Sequence, residues 1–240
     1  MNKTSCLIDF FDKTFVINLP ERQDRCREVS QELERIGTSA TSDRVVVFPA
    51  IKPTELADFP SLGARGCFLS HLAILTEAKK QRLKRVLIVE DDLVFSNLLI
   101  KQQELIVDQL QQPGWDLVYL GHLIERPAAT IVKFESYTQP LQQSHFIGVN
   151  GAAIAPLVEF LETVLSRPAG HPDGGPMHID GAYTTFRQQH PAIVTLIADP
   201  SLGFQRPSPS DIAGYRWFDH LPVLTPVVST VRKVKTWYQR

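Results

Sequence analysis

The chain has 240 residues, of which 43% are hydrophobic and 21% are charged, and its formal net charge at pH 7 is -1. This composition is that of an ordinary globular protein and excludes general disorder, while the near-zero charge excludes a global attraction to nucleic acid. The length predicts one large α/β domain, or one domain with a small appendage.

The cysteines and the start of the chain indicate its compartment. Cys6, Cys26 and Cys67 form no C-x-x-C pair, which favours reduced, structural thiols. The first residues lack the basic start and long apolar core of a signal peptide, and no apolar run approaches the roughly 18 residues of a membrane-spanning helix. We therefore expect a cytoplasmic protein.

The first predicted unit is a strand followed by a helix. Residues 14–19 are apolar and predict the strand, and residues 21–36 predict the helix because their apolar side chains recur at helical spacing. The turn between them carries polar side chains that could face a nucleotide or simply lie in solvent: Asn18, Arg22, Asp24 and Arg25.

A second strand and a long helix come next. Residues 44–48 predict the strand, residues 52–64 a loop, and residues 66–83 a helix with one apolar stripe. His71 lies next to that stripe, where a histidine is either a packing residue or a ligand.

Residues 86–92 combine an apolar run with three carboxylates, Glu90, Asp91 and Asp92. The run predicts a strand that is buried on both faces, which is typical of parallel sheets flanked by helices. In such sheets the carboxyl ends of the strands border the ligand crevice, so the acids are placed to hold a divalent cation through oxygen ligands. The alternative is an exposed turn that happens to be acidic.

The second half of the chain continues with strands and helices that are less sharply patterned. Its predicted elements are a helix at 97–111, strands at 115–121, 147–154 and 193–197, and a helix that has Pro156 in its first turn and ends near residue 166.

Two loops and the C-terminus complete the sequence. Residues 167–176, rich in Gly and Pro, predict a candidate lid, and Asp180 after it is either a helix N-cap or a catalytic residue. Residues 199–211 predict a second loop. Residues 216–240 carry five Lys or Arg and one Asp, which is consistent with a helix on anionic lipid, a fraying helix or an oligomer contact.

Several segments in this order resemble glycosyltransferase family 25, the bacterial lipooligosaccharide-type transferases whose relatives include collagen galactosyltransferases. The matching pieces are residues 16–19 with Arg22 and Arg25, then 48–50, 66–72, 88–92, 115–121, 151–154, 179–180, Gln205 and 210–212. The sequence departs from the family pattern at Ala64, where the family commonly has an acid, and at Ile51-Lys52, where it has Asp-Gly. Acceptor-side loops are therefore expected to differ.

The resemblance implies a Rossmann-like, mostly parallel sheet flanked by helices, of the GT-A type, over residues 14–212. Residues 1–13 would be an N-terminal extension and residues 213–240 a basic tail with a peripheral contact at the inner face of a membrane. The implied activity is transfer of a sugar, often galactose, from a UDP-sugar to a glycan or glycolipid such as lipooligosaccharide. The implied reaction inverts the anomeric carbon and uses Mn²⁺ or Mg²⁺.

The same resemblance suggests roles for individual side chains. Glu90 and Asp92 would hold the metal, and Asp180 is the first candidate for the catalytic base. The substrate-binding candidates are Asn18, Arg22, Arg25, His71, Asp91, Asp116, Gln205, Ser210 and Asp211, of which Asp116 and Asp211 are also alternative bases. Two other functions remain open: a non-catalytic glycan- or nucleotide-binding homologue, and a metal-dependent phosphohydrolase.

Overall fold

The apolar runs of the sequence form a seven-stranded mixed sheet in the computed structural model, which describes residues 6–127 and 129–206. In spatial order the strands are β2 (Val45–Pro49), β1 (Lys13–Asn18), β3 (Arg85–Glu90), β7 (Phe146–Asn150), β5 (Leu117–Tyr119), β8 (Thr195–Asp199) and β6 (Lys133–Ser136). Only β7 and β6 run against the other five strands. The predicted mostly parallel sheet is therefore confirmed. A second, two-stranded sheet pairs β4 (Leu93–Phe95) with β9 (Gly203–Gln205).

Helices cover both faces of the large sheet. They are α1 (Leu7–Phe10), α2 (Gln23–Arg35), α3 (Leu62–Gln81), α4 (Asn97–Lys101), α5 (Gln103–Leu110), α6 (Gly151–Leu165) and α7 (Ile179–Gln189). Alternate residues of β3 belong to opposite cores, since Val86 and Ile88 pack under α3 and α6 while Leu87 and Val89 pack towards α1, α2 and α5. This two-sided burial explains why the strand reads as an unbroken apolar run.

The order of the strands creates a crevice between β1 and β3. The chain leaves β1, forms α2 and returns as β2 on one side of β1, and it then forms α3 and returns as β3 on the other side. In open α/β sheets, ligands bind at the carboxyl ends of the strands where the direction of winding changes in this way. The acidic residues after β3 lie at this position.

Three predicted boundaries were wrong for identifiable reasons. The long helix α3 begins at Leu62, inside the predicted loop, because Ser61 Oγ accepts the Ala64 N–H and caps it. The helix predicted at 97–111 is divided into α4 and α5 at Gln102. The strand predicted to reach residue 154 ends at Asn150, so α6 starts at Gly151 and Pro156 lies in its second turn.

The segment predicted as an N-terminal extension contributes side chains to the core. Leu7, Ile8 and Phe11 are fully buried, and a Cβ atom at Gly148 of β7 would lie 2.9 Å from the Phe11 ring. At the other end, the predicted basic tail lies outside the described residues, as do Ser210 and Asp211. None of the helices in the described part of the chain is both long and apolar enough to span a membrane.

Candidate active site

The crevice between β1 and β3 opens into a cleft of about 420 Å³. Loop residues 50–53 and the first half of α3 form one wall, and the start of α2 with the acidic strand end forms the other. The sequence-predicted side chains that line the cleft are Arg22, Arg25, Glu90, Asp91, Asp92 and Gln205.

Asp91 ties the elements around the cleft together. Its carboxylate is almost fully buried, with 6% exposure, and both oxygens are hydrogen-bonded. Arg25 Nη1 donates to Oδ1 over 3.0 Å, and Asn18 Nδ2 donates to Oδ2 over 2.8 Å. A buried carboxylate requires such a charged partner. Asp91 therefore joins the end of β3 to β1 and α2, and each of its oxygens already accepts a hydrogen bond.

Glu90 lies between α3 and β9. Gln205 Nε2 donates to its Oε2 over 3.0 Å, and Cys67 Sγ donates to its Oε1 over 3.7 Å. Burial, followed by the charges of Asp92 and Asp91, raises the pKa of Glu90 to about 8. Near neutral pH this carboxyl group therefore retains a proton that a nearby cation would displace.

Asp92 also lines the cleft, and one of its carboxylate oxygens lacks a hydrogen-bond partner among the described residues. Burial raises its pKa to about 6, against the opposing effect of nearby Arg25 and Arg206. Its Oδ1 atom is buried and has no hydrogen-bond partner within residues 6–127 and 129–206. A buried acceptor without a partner has a free-energy cost that a bound ligand would remove.

Glu90 and Asp92 fit a divalent cation by their chemistry. Both offer carboxylate oxygens, the ligand type that Mg²⁺ and Mn²⁺ prefer. A cation between them would also offset the repulsion that raises the pKa of Glu90. With Asp91 engaged by Arg25, these two carboxylates are the acidic groups of the strand end that remain for a metal.

Two further cations border the cleft and are held by exposed acids. Arg22 donates to both oxygens of Asp24, at 3.0 and 2.9 Å, and this contact lowers the pKa of Asp24 to about 2. Lys52 pairs with Glu21. Exposed pairs of this kind contribute little to stability, so either cation can exchange its carboxylate for a phosphate at small cost.

The loop that carries Lys52 is fixed against α3. Ser70 Oγ accepts the Ile51 N–H over 2.9 Å and donates to the Gly66 carbonyl over 2.7 Å. A Cβ atom at Gly66 would lie 2.5 Å from the Ile51 carbonyl oxygen. The glycine therefore permits the close approach that forms this wall of the cleft.

His71 lies behind the wall rather than on it. The side chain is fully buried, its Nδ1 is 2.9 Å from Tyr183 Oη, and burial lowers its pKa to about 3, so the imidazole is neutral. A ring nitrogen of His71, the Cys67 sulfur and a Glu90 oxygen lie within 4.8 Å of one another. Sequence reasoning did not include Cys67 among the site residues. The signal was its i,i+4 spacing from His71, which places both on one helix face.

Asp180 lies in the first turn of α7, and the N-cap of that helix is His178. Of the two interpretations of Asp180, the helix N-cap is therefore wrong, and the catalytic role stays a prediction. Its Oδ1 accepts the Gly181 N–H over 2.8 Å, and its Oδ2 accepts the Gln143 N–H over 3.4 Å. Asp180 does not line the cleft, although its charge contributes to the raised pKa of Cys67.

The structure does not bring Asp116 to the cleft. It precedes β5, and its Oδ2 accepts the Val194 N–H over 2.8 Å. Because β5 runs in the same direction as β3, its amino end lies at the opposite edge of the sheet from Glu90. The geometry gives Asp116 a structural contact with the start of β8.

Comparisons with known proteins match the part of the chain that holds the cleft. A family model described as "Glycosyltransferase family 25 (LPS biosynthesis protein)" matches residues 11–151, which include Asn18, Arg25, His71 and the acidic strand end. Asp180 and Gln205 lie outside the matched range.

Curated relatives and a solved structure complete the comparison. Human procollagen galactosyltransferase 2 is 28% identical over 129 residues, which cover 46% of this chain and 21% of that protein. Procollagen galactosyltransferase 1 of Danio rerio is 27% identical over 54% of this chain and 25% of its own length. The human protein named "Inactive glycosyltransferase 25 family member 3" is 33% identical over 46% of this chain and 22% of its own length.

These matched segments are thus about a quarter or less of each relative. A glycosyltransferase involved in glycosylation of the major capsid of PBCV-1 superposes with a TM-score of 0.48 at 13% identity, over 77% of this chain and 79% of that one. The family model covers more than half of the chain. The chain belongs to glycosyltransferase family 25.

Proposed function

We propose that this chain transfers a hexose, with galactose the first candidate, from a UDP-sugar to a hydroxyl group of a glycan acceptor such as lipooligosaccharide. The reaction would invert the anomeric carbon and depend on Mn²⁺ or Mg²⁺. The proposal rests mainly on Glu90 and Asp92, which line the cleft at the carboxyl end of β3. Asp91 between them is engaged by hydrogen bonds from Arg25 and Asn18.

The charges of the cleft suit a nucleoside diphosphate. Glu90 and Asp92 would hold the cation, which when bound would stabilise the negative charge on the departing UDP as a Lewis acid. Arg22 and Lys52 border the same cleft and would contribute charge-assisted hydrogen bonds to the phosphates. Gln205, which already contacts Glu90, would keep that carboxylate oriented.

Inversion in one displacement needs a base on the side of the acceptor hydroxyl. Asp180 is our candidate because α7 packs directly against α3, whose first half forms the cleft wall. Its two backbone hydrogen bonds fix the orientation of the carboxylate. A loop of residues 167–176 leads into α7 and would be able to cover the acceptor.

A second candidate function is a homologue that binds a nucleotide or glycan without catalysis. It is favoured by the 33% identity to a relative that is named inactive and by the departures from the family pattern at Ala64 and Ile51-Lys52. On this alternative the cleft would bind UDP or a sugar but would not turn it over.

A donor screen separates these functions. The full chain is incubated with a panel of UDP-sugars and glycan acceptors, with Mn²⁺ or with EDTA, and the release of UDP is measured. We expect release that requires both an acceptor and a divalent cation. Asp92→Ala should abolish it, whereas Asp116→Asn, at the opposite edge of the sheet, should retain it. Binding of UDP without turnover across the panel would favour the non-catalytic homologue.

A further inference from the structure

A second group of potential metal ligands lies behind the acidic strand end. Cys67 and His71 are one helical turn apart on α3, and Glu90 ends β3 directly opposite them. One ligand atom from each of the three side chains lies within 4.8 Å of the other two. The group contains sulfur and nitrogen donors, so its chemistry differs from that of the two carboxylates on the cleft wall.

The distances suit a small tetrahedral ion. Zinc bonds of roughly 2.0–2.3 Å place neighbouring ligands roughly 3.5 Å apart. Cys67 Sγ and Glu90 Oε1 are already 3.7 Å apart. The other ligand atoms lie at most 4.8 Å apart, so bringing them to tetrahedral spacing shortens each separation by at most roughly 1.3 Å.

The imidazole of His71 provides an independent observation. The side chain has 0% exposure, and its Nε2 has no hydrogen-bond partner in the described part of the chain. Its Nδ1 is held by Tyr183 Oη at 2.9 Å. This is the arrangement of a metal-binding histidine, in which a second residue orients the ring through one nitrogen and leaves the other for the metal.

We propose that Cys67, His71 and Glu90 bind one Zn²⁺ ion, with a fourth coordination position open to the cleft. Thiolate and imidazole ligands select zinc over Mg²⁺, and three protein ligands with an open position are typical of catalytic rather than structural zinc sites. The opening faces the cleft because Cys67 and Glu90 both line it. This group shares Glu90 with the cation pair of the proposed sugar transfer, so Zn²⁺ here and Mn²⁺ at Glu90 and Asp92 would compete for that carboxylate. The thiolate ligand distinguishes the two sites, because only this group contains Cys67.

Cobalt titration tests this site without any measurement of turnover. The full chain is treated with EDTA, dialysed and titrated with Co²⁺, whose bond to a thiolate gives a charge-transfer absorption band in the near ultraviolet. We expect the band to saturate at one equivalent, to vanish when one equivalent of Zn²⁺ is added, and to persist in excess Mg²⁺.

Matched variants locate the ligands. Cys67→Ser should remove the charge-transfer band, and His71→Gln should weaken Co²⁺ binding at least tenfold. Cys26→Ser, which changes a partly exposed cysteine outside the group, should leave the titration unchanged. Circular dichroism checks that each variant is folded. If His71→Gln does not fold, the result for Cys67→Ser alone decides whether the group binds the metal. Absence of the band in the wild-type protein, or a band that survives in Cys67→Ser, would overturn the proposal.

Discussion

Asp91 shows how a single carboxylate can join the elements that form a site. Its oxygens accept hydrogen bonds from Arg25 and Asn18, and the ion pair with Arg25 is about nine-tenths buried on each side. All three acids line the cleft, but among the described residues Glu90 and Asp92 lack a direct ion pair of the kind that engages Asp91, which leaves these two for a cation. The middle residue of the acidic cluster therefore has a different role from its neighbours.

Removal of the Asp91 carboxylate should destabilise the fold. Asp91→Ala removes the buried carboxylate that Arg25 Nη1 and Asn18 Nδ2 contact, and we expect the free energy of unfolding to fall by about 3–5 kcal/mol. The control is Asp24→Ala, which removes an acid from the exposed pair with Arg22 and should cost less than about 1 kcal/mol. Urea denaturation followed by circular dichroism measures both. Equal losses in the two variants would show that Asp91 is not a structural anchor.

The raised pKa of Glu90 predicts a pH dependence of stability in the metal-free protein. Between its ordinary value of 4.5 and about 8, the folded protein holds a proton that the unfolded chain releases. The free energy of unfolding therefore falls as pH rises through this window. The buried His71 and His145, whose pKa values are lowered from 6.5, have the opposite effect below pH 6.5, so the test uses higher pH.

Comparison with Glu90→Gln isolates this titration. Between pH 6.5 and about 8.5, in EDTA, wild-type stability should fall more steeply than that of the variant, by at most about 1.4 kcal/mol per pH unit. Urea denaturation at four pH values gives the two slopes. Parallel curves would mean that Glu90 titrates as an ordinary surface acid.

Asp180→Asn tests the proposed base. The amide oxygen can still accept the Gly181 N–H over the shorter contact, at the loss of the 3.4 Å contact with the Gln143 N–H. The amide cannot accept the proton of the acceptor hydroxyl. We expect UDP affinity to be retained while transfer falls by about 10²–10⁴-fold. Calorimetry and a transfer assay give the two readouts. Transfer close to the wild-type rate would mean that a group other than Asp180 accepts the proton of the acceptor hydroxyl.

The position of a single residue in the fold was predictable where its neighbours in the sequence determined that position. The acidic cluster follows a buried strand, and that fact alone places it at the crevice. Asp116 precedes its strand, and the direction of β5 puts it at the other edge. Cys67 depends on a partner 23 positions away in the sequence, Glu90, so only the three-dimensional contact joins the two.

At the scale of elements, the contact between α3 and the loop of residues 50–53 determines one wall of the cleft. Gly66 allows the approach, and Ser70 holds the loop through the Ile51 N–H. Because the atom that a Cβ would meet belongs to the backbone, it cannot simply rotate away.

Gly66→Ala should therefore displace this loop. We expect a loss of about 1–3 kcal/mol in stability and weaker binding of UDP, since Lys52 moves with the loop. Gly181→Ala is the matched control in α7, where a Cβ would meet only the flexible Met177 side chain at 3.3 Å and alanine has the better helix propensity. Thermal unfolding compares the two variants. A Gly66→Ala protein as stable as Gly181→Ala would contradict the assigned contact.

The elements themselves were predictable to different degrees. Strands β1 and β3 are buried on both faces, so their apolar runs identify them without ambiguity. The start of α6 was not predictable, because Gly151 signals a close approach and not a helix start: a Cβ there would lie 3.1 Å from the carbonyl oxygens of Leu83 and Lys84. A glycine in the sequence indicates a close backbone contact at Gly151, and only the fold identifies its partners as the Leu83 and Lys84 carbonyl groups.

For the whole molecule, alternating strands and helices predicted the α/β class correctly, but not the position of β7. This strand inserts antiparallel between β3 and β5, and its neighbours lie far away in the sequence. Gly148 makes the insertion possible because a Cβ at this position would lie 2.7 Å from Val118. Such long-range pairing is set by packing, which local patterns do not encode.

In the proposed function, the acidic strand end anchors a cation and the diphosphate of a nucleotide. Calorimetric titration of the full chain with UDP, with Mn²⁺ and with EDTA, tests it most directly, using Asp92→Ala as the variant and Asp116→Asn as the control. We expect UDP binding that requires Mn²⁺, is lost in Asp92→Ala and is retained in Asp116→Asn. Equal UDP affinity in EDTA and Mn²⁺, or wild-type affinity in Asp92→Ala, would contradict it.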